Sequence, residues 1–232
     1  MPPFGFAEDE GPRAVLGVTR SASGRTWVDR LDPPAASLAT AMTQRLGLPE
    51  IVARVMAGRG VGLDEALAFL DPTIKDLMPD PSTVTDMDVG VARLADAIER
   101  AESIALFADY DVDGATSAAV VRRWLMQVGL DPIVHVPDRL IEGYGPNVEA
   151  IRGLRARGAE LLVTLDCGST SFEALEAARE VGLDTVVIDH HQCGVDLPTA
   201  RAVINPNRQD DLSGLGHLAA CGVAFLTLVG LA

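Results

Sequence analysis

Three carboxylates at alternate positions form the first reactive group of the sequence: Asp109, Asp111 and Asp113 in FADYDVDGATS. Carboxylates spaced this closely repel one another unless cations neutralise them. The pattern therefore predicts a divalent-cation site, and the alternative is an acidic loop or helix cap built from the same residues. Gly114 then permits a tight turn into a helix, whose first turn would place Ser117 near a bound oxyanion.

A second group combines acids with imidazoles. Asp189, His190 and His191 occur together in VVIDHHQ, and Asp166 ends the apolar segment LLVTLD. Imidazole favours Mn, Zn or Fe, whereas carboxylate favours Mg or Mn, so the mixture predicts Mn²⁺ or Mg²⁺. Two simpler interpretations stay open, because Asp166 would also serve as a helix cap and Cys167 is more typical of buried packing than of a nucleophile.

The segment VPDRLIEGYGPN combines a cation with flexible backbone. Arg139 is suited to a bidentate contact with a phosphate. The glycines, Gly143 among them, would let the backbone beside Glu142 and Tyr144 approach a substrate. The alternative for this segment is a surface ion pair between Arg139 and Glu142. A glycine-rich stretch at 214–222 is a further candidate for a phosphate-binding turn.

Together these groups are typical of two-metal hydrolysis of a phosphate ester, in which paired cations activate a water and stabilise the attacking and leaving oxygens. The sequence shows no nucleophile elbow for a Ser-His-Asp mechanism and no G-x-x-x-x-G-K-[ST] phosphate loop. A phospho-acceptor receiver domain would also have an acidic pocket, but that interpretation leaves the adjacent histidines unexplained.

The elements that must position these residues alternate between strand and helix. Short apolar segments (IALFA, PIVHVP, ELLVTL, DTVVI and RAVI) are separated by segments with apolar residues at helical spacing. This alternation predicts an α/β fold of Rossmann-like type, a parallel sheet with helices on both faces. Because ligands bind beyond the carboxyl ends of such strands, the three acidic groups are expected to meet at one edge of the sheet.

The part before the sheet has a different character. An irregular leader to about residue 30 precedes short amphipathic patterns, and the proline-rich LDPTIKDLMPDPS is predicted as a linker. The sequence therefore predicts a leader and small helical lobe over 1–82 and an α/β domain over 83–232. Residues 216–232 are predicted as a buried helix, and the missing stop signal after Leu231 predicts that the natural chain continues.

Composition narrows the function classes. A net charge of −14 argues against a broad basic face for nucleic acid. Three cysteines without C-x-x-C spacing argue against a disulfide framework or a zinc site and favour a reducing cytoplasm. The start, MPPFGFAEDEGPR, has no secretory pattern, and no segment predicts a membrane span.

Four segments in order, DYDVDGATS, PDRLIEGYGPN, TLDCGS and IDHHQ, resemble the motifs of the DHH phosphoesterases, over roughly residues 15–232. The long first motif and the EGYG segment are most similar to the exonuclease branch of that family. The resemblance implies a 5′-to-3′ exonuclease on single-stranded DNA that requires Mn²⁺ or Mg²⁺ and serves recombination and repair. It also implies a single-strand-binding protein and a helicase as candidate partners.

The resemblance further implies roles for individual residues. The implied metal ligands are Asp109, Asp111, Asp113, Asp166 and His190. The implied catalytic residues beside the scissile phosphate are His191 and Asp189. The implied substrate contacts are Arg139, Glu142, Gly143, Tyr144 and Ser117.

Members of the family carry a further metal-ligating aspartate and further domains beyond the point that corresponds to Ala232. The piece alone is therefore expected to bind metal weakly and to cleave poorly. The alternatives are a DHH phosphodiesterase acting on short oligonucleotides or cyclic dinucleotides, and a DHH scaffold without catalytic activity.

Overall fold

The computed structural model describes residues 14–232, and the chain divides into two compact units, Met1–Met78 and Pro79–Ala232. The sequence-predicted division, at residue 82, lies slightly later in the chain. The prediction about the extreme N-terminus falls on residues 1–13, outside the described residues. From residue 14 to residue 30 the backbone is irregular apart from one 3-10 turn, Val15–Gly17.

The first unit is helical. Asp32 begins its first helix by accepting a hydrogen bond from the amide of Ala35, and the main packing joins the first two helices through Met42, Ala53 and Met56. The segment predicted as a linker is partly helical, because Thr73 caps a short helix there. Within residues 14–78 the α-helices are α1 (Pro33–Leu46), α2 (Glu50–Ala57), α3 (Ala66–Leu70) and α4 (Ile74–Leu77).

The second unit contains a five-stranded parallel sheet with the strand order β2-β1-β3-β4-β5, which confirms the predicted α/β class. After the 3-10 turn Pro81–Thr83, strands and helices follow one another along the chain. The strands are β1 (Ile104–Ala108), β2 (Ile133–His135), β3 (Leu161–Leu165), β4 (Asp184–Ile188) and β5 (Ala202–Ile204). The helices are α5 (Met87–Glu99), α6 (Val112–Gln127), α7 (Val148–Ala156), α8 (Phe172–Glu180) and α9 (Ala220–Leu231).

Helices cover both faces of the sheet, and the strands are apolar on both sides for that reason. On one face α7 and α8 pack over Phe107, Leu162 and Val187. Helix α9 packs against α5 and α6, and these three helices contact β1, β4 and β5. β1 and β3 are buried along their whole length, whereas the edge strand β2 is only partly buried.

The strands end in register at the carboxyl edge of the sheet. The last paired residues are Ala108 with Leu165, Leu165 with Ile188, and Ile188 with Ile204. The four residues that come next therefore form a continuous row, which we call the edge row: Asp109, Asp166, Asp189 and Asn205. Backbone hydrogen bonds of 2.9 to 3.1 Å continue the ladder from the amides of its three aspartates.

The strand order also marks where a ligand should sit. From β1 the chain passes to β2 on one side, whereas the next strand, β3, lies on the other side of β1. In open parallel sheets such a reversal leaves a crevice at the carboxyl edge, where ligands bind. Asp109 and Asp166 are the edge-row residues on the two strands that flank this crevice.

The apolar C-terminal segment forms a mostly buried helix, as predicted, although α9 begins at Ala220 rather than at residue 216. Val223, Ala224 and Leu226 are buried, whereas Phe225 is 40% exposed. Among residues 14–232, no helix has both the length and the apolar character needed to cross a membrane.

Candidate metal centre

Asp111 begins α6 and caps it with one of its two carboxylate oxygens. Its Oδ1 accepts hydrogen bonds from the amides of Asp113 at 2.8 Å and Gly114 at 3.0 Å. The Gly114 amide lowers the pKa of this carboxyl group, against a smaller opposing effect of burial. The helix-cap interpretation is therefore right for Asp111, and Oδ2 remains for a second partner. Gly114 is required because a Cβ there would lie 2.3 Å from the carbonyl oxygen of Asp109.

Asp109 and Asp166 are buried acids with unsatisfied oxygens. Their residues are 3% and 1% exposed, and Oδ1 of each has no hydrogen-bond partner among the described residues. The φ angle of Asp166 is +61°, in the left-handed region. The alternative role of Asp166 as a helix cap is wrong, because Ser171 is the residue that precedes α8. A buried polar atom without a partner calls for an explanation, and a bound ion would supply one for these two acids.

Burial and mutual repulsion make these acids hard to ionise. Burial raises the pKa of Asp109. Burial, followed by the charges of Asp113 and Asp111, raises the pKa of Asp166 to about 8. Oxygens of Asp109, Asp111 and Asp166 lie within 4.8 Å of one another. A divalent cation would fit this group, since its charge would favour the ionised carboxylates and its coordination would satisfy the orphaned oxygens.

His190 presents one nitrogen to the acids. Its Nδ1 lies 3.0 Å from the carbonyl oxygen of Leu218, an acceptor, so the proton belongs on Nδ1 and the lone pair on Nε2. That Nε2 lies 3.3 Å from Oδ1 of Asp166 and 3.6 Å from Oδ2 of Asp113. The backbone carbonyl thus fixes the tautomer that a metal ligand needs.

Asp189 is occupied entirely by its neighbours. Oδ1 accepts from Nδ1 of His191 at 2.8 Å and from the amides of His190 and His191, and Oδ2 accepts from the amide of Ser169 at 3.0 Å. Burial alone would raise the pKa of this carboxyl group, but these hydrogen bonds lower it to about 2. The sequence suggested a catalytic role for Asp189. Asp189 is 2% exposed and contacts His191, so its carboxylate does not reach the open side of the site.

His191 consequently differs from its neighbour. Its hydrogen bond to Asp189 raises the pKa of the imidazole to about 9, so the ring is an imidazolium at neutral pH. Nδ1 is held by Asp189, and Nε2 lies 3.5 Å from Oη of Tyr144, at the exposed side of the site. Asp166, His190 and His191 are close enough to share an ion, but His191 would first have to release Asp189.

Asp113 anchors α9. Its Oδ2 accepts the amide of Ala220 and its Oδ1 accepts the amide of Cys221, both at 2.8 Å. A carboxylate at a helix start is favoured by the helix dipole. The glycine-rich stretch at 214–222 was a candidate phosphate-binding turn, and in the structure this internal carboxylate takes the anion position. To bind a cation as well, Asp113 would use a second lone pair on one of its carboxylate oxygens.

The segment 136–147, which we call the clamp loop, brings Arg139 and Tyr144 to the rim of the acids. The guanidinium carbon of Arg139 lies 5.2 Å from the ring centre of Tyr110, a cation–π distance. Tyr144 packs edge-on against both Tyr110 and His191. The suggested ion pair between Arg139 and Glu142 is not present among the described residues, since Glu142 pairs with His135.

The structure also gives the surroundings of three other residues named from the sequence: Ser117, Gly143 and Cys167. Ser117 is completely buried, so it cannot reach a substrate while α6 keeps its position, and we omit it from the substrate surface. Gly143 has φ of +83°, which a turn with glycine accommodates without strain. Cys167 is buried, and burial raises the pKa of its thiol, as expected for packing rather than nucleophilic attack.

Sequence reasoning missed the asparagine at the end of the edge row. Asn205 is 0% exposed, and its Nδ2 donates to Oγ of Ser169 at 2.8 Å and to the carbonyl of His191 at 2.9 Å. Asn207 extends this support by donating to the carbonyl of His190. These amides join the loops after β3 and β4, which carry Asp166 and the histidines. The signal was a polar residue following RAVI, at the same strand position as the three aspartates.

Asn205→Ala is expected to lower the free energy of unfolding by about 2 kcal/mol, because it leaves buried partners unsatisfied. Urea denaturation of the metal-free chain measures this loss. A change below about 0.5 kcal/mol, the range of ordinary surface substitutions, would contradict the joining role of Asn205.

The stability of the metal-free chain is expected to fall as the pH rises from 6 to 9. The folded state holds a proton on Asp166 up to about pH 8, and one on His191 up to about pH 9, that the unfolded chain releases near 3.8 and 6.5. Asp189 has the opposite sign, but its contribution is complete above about pH 4. Thermal unfolding in EDTA should show a Tm at pH 9 that is about 5 °C lower than the Tm at pH 6. A Tm that is flat or rising over this window would contradict the crowding of acids.

The chain is similar in sequence to known proteins. The model described as the DHH family, N-terminal domain, matches residues 103–230, the part that contains the sheet and the site. The single-stranded-DNA-specific exonuclease RecJ of Bacillus subtilis (strain 168) is 34% identical over 205 residues, which are 88% of this chain and 26% of that relative. RecJ of Escherichia coli (strain K12) is 36% identical over 185 residues, 79% of this chain and 31% of that relative. The chain thus spans between a quarter and a third of the length of these curated relatives.

Solved structures give similar results. RecJ from Thermus thermophilus in complex with Mn²⁺ matches 87% of this chain and 27% of its own, with 27% identity and a TM-score of 0.67. An exonuclease RecJ bound to manganese matches 64% of this chain and 37% of its own, with 33% identity and a TM-score of 0.58.

Proposed function

Because the chain belongs to the DHH family, we propose that it is the metal-binding portion of a phosphodiesterase that removes nucleotides from the 5′ end of single-stranded DNA. The observation that carries the proposal is the convergence of carboxylate oxygens and an imidazole nitrogen on one crevice of the sheet. The RecJ relatives, which are exonucleases specific for single-stranded DNA, support the choice of substrate.

The cofactor we propose is Mn²⁺ or Mg²⁺ at a two-metal site. The donors would be Asp109, Asp111, Asp166 and His190, with Asp113 at the border of the group. Their mixture of oxygens with one imidazole suits Mn²⁺ best, and Oδ1 of Asp109 and Oδ1 of Asp166 have no hydrogen-bond partner in the described part of the chain. When bound, paired cations activate a water and stabilise the attacking and leaving oxygens of a phosphodiester.

The remaining residues would act on the phosphodiester itself. His191 is protonated at neutral pH, and its Nε2 faces the open side, so it would donate a proton to the leaving oxygen or hold the scissile phosphate. Asp189 keeps this ring in place through Nδ1. Arg139 would bind a neighbouring phosphate, and the exposed ring of Tyr144 would stack on a base.

The acidic balance of the chain limits what it does alone. Binding of single strands usually depends on a positively charged groove, and these 232 residues carry a net charge of −14. We therefore expect slow cleavage that is measurable under single-turnover conditions with excess protein. Rapid processive degradation of long strands by this chain would contradict that expectation.

A labelled-strand experiment tests the function. With Mn²⁺, a single-stranded oligonucleotide labelled at its 5′ end should release the label as a mononucleotide in the first product. The same strand labelled at its 3′ end should give a ladder of progressively shorter labelled strands. Duplex DNA should resist, and EDTA should stop the reaction. Cleavage in EDTA would exclude the metal mechanism. Faster hydrolysis of a cyclic dinucleotide than of the strand would favour the short-substrate alternative, and no Mn²⁺ binding by calorimetry would favour a scaffold.

The proposed role carries two further expectations. A single-strand-binding protein and a helicase would be the partners that deliver single strands, and the cytoplasm would be the location. Co-purification of the natural protein with either partner, before and after nuclease treatment, would test a direct association.

A further inference from the structure

The clamp loop is held at its base by one carboxylate. Oε2 of Glu142 lies 2.9 Å from Nε2 of His135 on β2, and Oε1 accepts the amide of Asp138 at 2.9 Å. The turn is closed in the other direction by the amides of Ile141 and Glu142, which donate to the carbonyl of Asp138. His135 is itself stacked against the buried ring of Phe107, at 5.0 Å between centroids. The loop is thus tied to the sheet through Glu142.

Nothing apolar fixes the tip of this loop. Leu140 is 95% exposed and Ile141 is 84% exposed, so neither side chain packs against the sheet unit. Arg139 lies 5.2 Å from the ring centre of Tyr110, and Tyr144 contacts the rings of Tyr110 and His191 edge-on. Pro137 and Pro146 are buried at the two ends of the loop, so the exposed stretch between them depends on its hydrogen bonds for order.

We propose that Glu142 and His135 are positioning residues that hold the clamp loop so that Arg139 and Tyr144 stand beside His191. The expected effect on strand binding rests on the proposed function, whereas the holding of the loop rests on its hydrogen bonds alone. It replaces the direct substrate contact expected of Glu142 from the sequence. Both carboxylate oxygens are engaged, and the Asp138 amide and His135 lower the pKa of Glu142, so the group is an anion that would repel a phosphate.

Hydrogen exchange of the clamp loop tests the geometry without any substrate. In the metal-free chain, Glu142→Ala should speed exchange of the amides of Asp138, Ile141 and Glu142 by about tenfold, as local opening becomes easier. Glu142→Gln should leave exchange almost unchanged, since the side-chain amide still accepts from Asp138 and can still form a hydrogen bond with His135. Glu149→Ala is the matched control, because Glu149 lines the same 450 Å³ cavity without a hydrogen bond to the loop. Unchanged exchange in Glu142→Ala overturns the proposal.

A double-mutant cycle tests the consequence. The affinity for a fluorescent single-stranded oligothymidylate is measured by anisotropy, with Ca²⁺ in place of Mn²⁺. Glu142→Ala should weaken binding about fivefold in the parent chain but less than about twofold in an Arg139→Ala, Tyr144→Ala background, because a positioning residue acts only through what it positions. Equal losses in both backgrounds would mean that Glu142 contacts the strand itself, and would overturn the proposal.

The two measurements separate this inference from the proposed function. If the parent chain fails to bind the oligonucleotide, the exonuclease assignment is weakened, and hydrogen exchange still decides whether Glu142 holds the loop. If exchange follows the expected pattern and the cycle is non-additive, both conclusions are supported.

Discussion

Asp166→Asn is expected to lower the affinity for Mn²⁺ by at least about 100-fold, the upper end of what loss of an outer-shell partner costs a metal site. Asp166 is the residue common to both groups that could hold an ion. Its Oδ1 is buried and has no hydrogen-bond partner among residues 14–232, so the contact that the cation would supply is lost with the charge. Isothermal calorimetry with Mn²⁺ measures the loss, and cleavage of a single strand should fall with it.

Asparagine is the replacement that isolates the charge of Asp166. The φ of +61° is tolerated by asparagine better than by other residues with a side chain, so the backbone keeps its course. Removing a crowded negative charge should also raise the Tm of the metal-free chain at pH 8. Asp196→Asn, at an exposed acid on the loop after β4, is the control and should bind Mn²⁺ like the parent. Parent-like Mn²⁺ affinity in Asp166→Asn would remove Asp166 from the proposed ligands.

Adjacent histidines should respond in opposite ways to the same substitution. His191→Gln is expected to slow single-turnover cleavage by about 10²- to 10⁴-fold, the range for loss of a general acid, while Mn²⁺ affinity stays within about threefold. His190→Gln is expected to weaken Mn²⁺ binding by at least about tenfold. The reason is the direction of each ring: Nε2 of His190 faces the acids, and Nε2 of His191 faces Tyr144.

Calorimetry and a rate measurement on the same two proteins check this pair. Each variant serves as the control for the other, because both remove an imidazole from the same turn. Equal losses of Mn²⁺ affinity in the two variants would show that both rings bind metal, and would exclude His191 as a separate acid.

Much of the fold could be predicted because the strands are mainly apolar and four of the five are followed directly by a polar residue. The edge row follows from that pattern, since Asp109, Asp166 and Asp189 each come directly after a buried run. The family resemblance drawn from the motifs is confirmed by the family model over 103–230. Local pattern was sufficient here because parallel strands place their carboxyl ends together.

The sequence could not show which residues contact each other when they lie far apart in the chain. Asp113 meets the start of α9 more than 100 positions along the chain, and only the packing of α9 on α6 creates that contact. The same packing surrounds Ser117, which helical spacing alone assigned to an open first turn. The contact of Glu142 with His135 could not be predicted either, because His135 lies on the preceding strand and carries no motif signal.

The register of the edge row implies that the metal centre tolerates exchanges of apolar residues in the strands far better than changes in strand length. Side chains alternate between the two faces of a sheet, so deleting one residue inside β3 would turn Leu165 and its neighbours over and withdraw Asp166 from the crevice. Apolar exchanges such as Val163→Ile would leave the spacing intact. A library of single-codon deletions should therefore be depleted across β1, β3 and β4 relative to a library of apolar exchanges at the same positions.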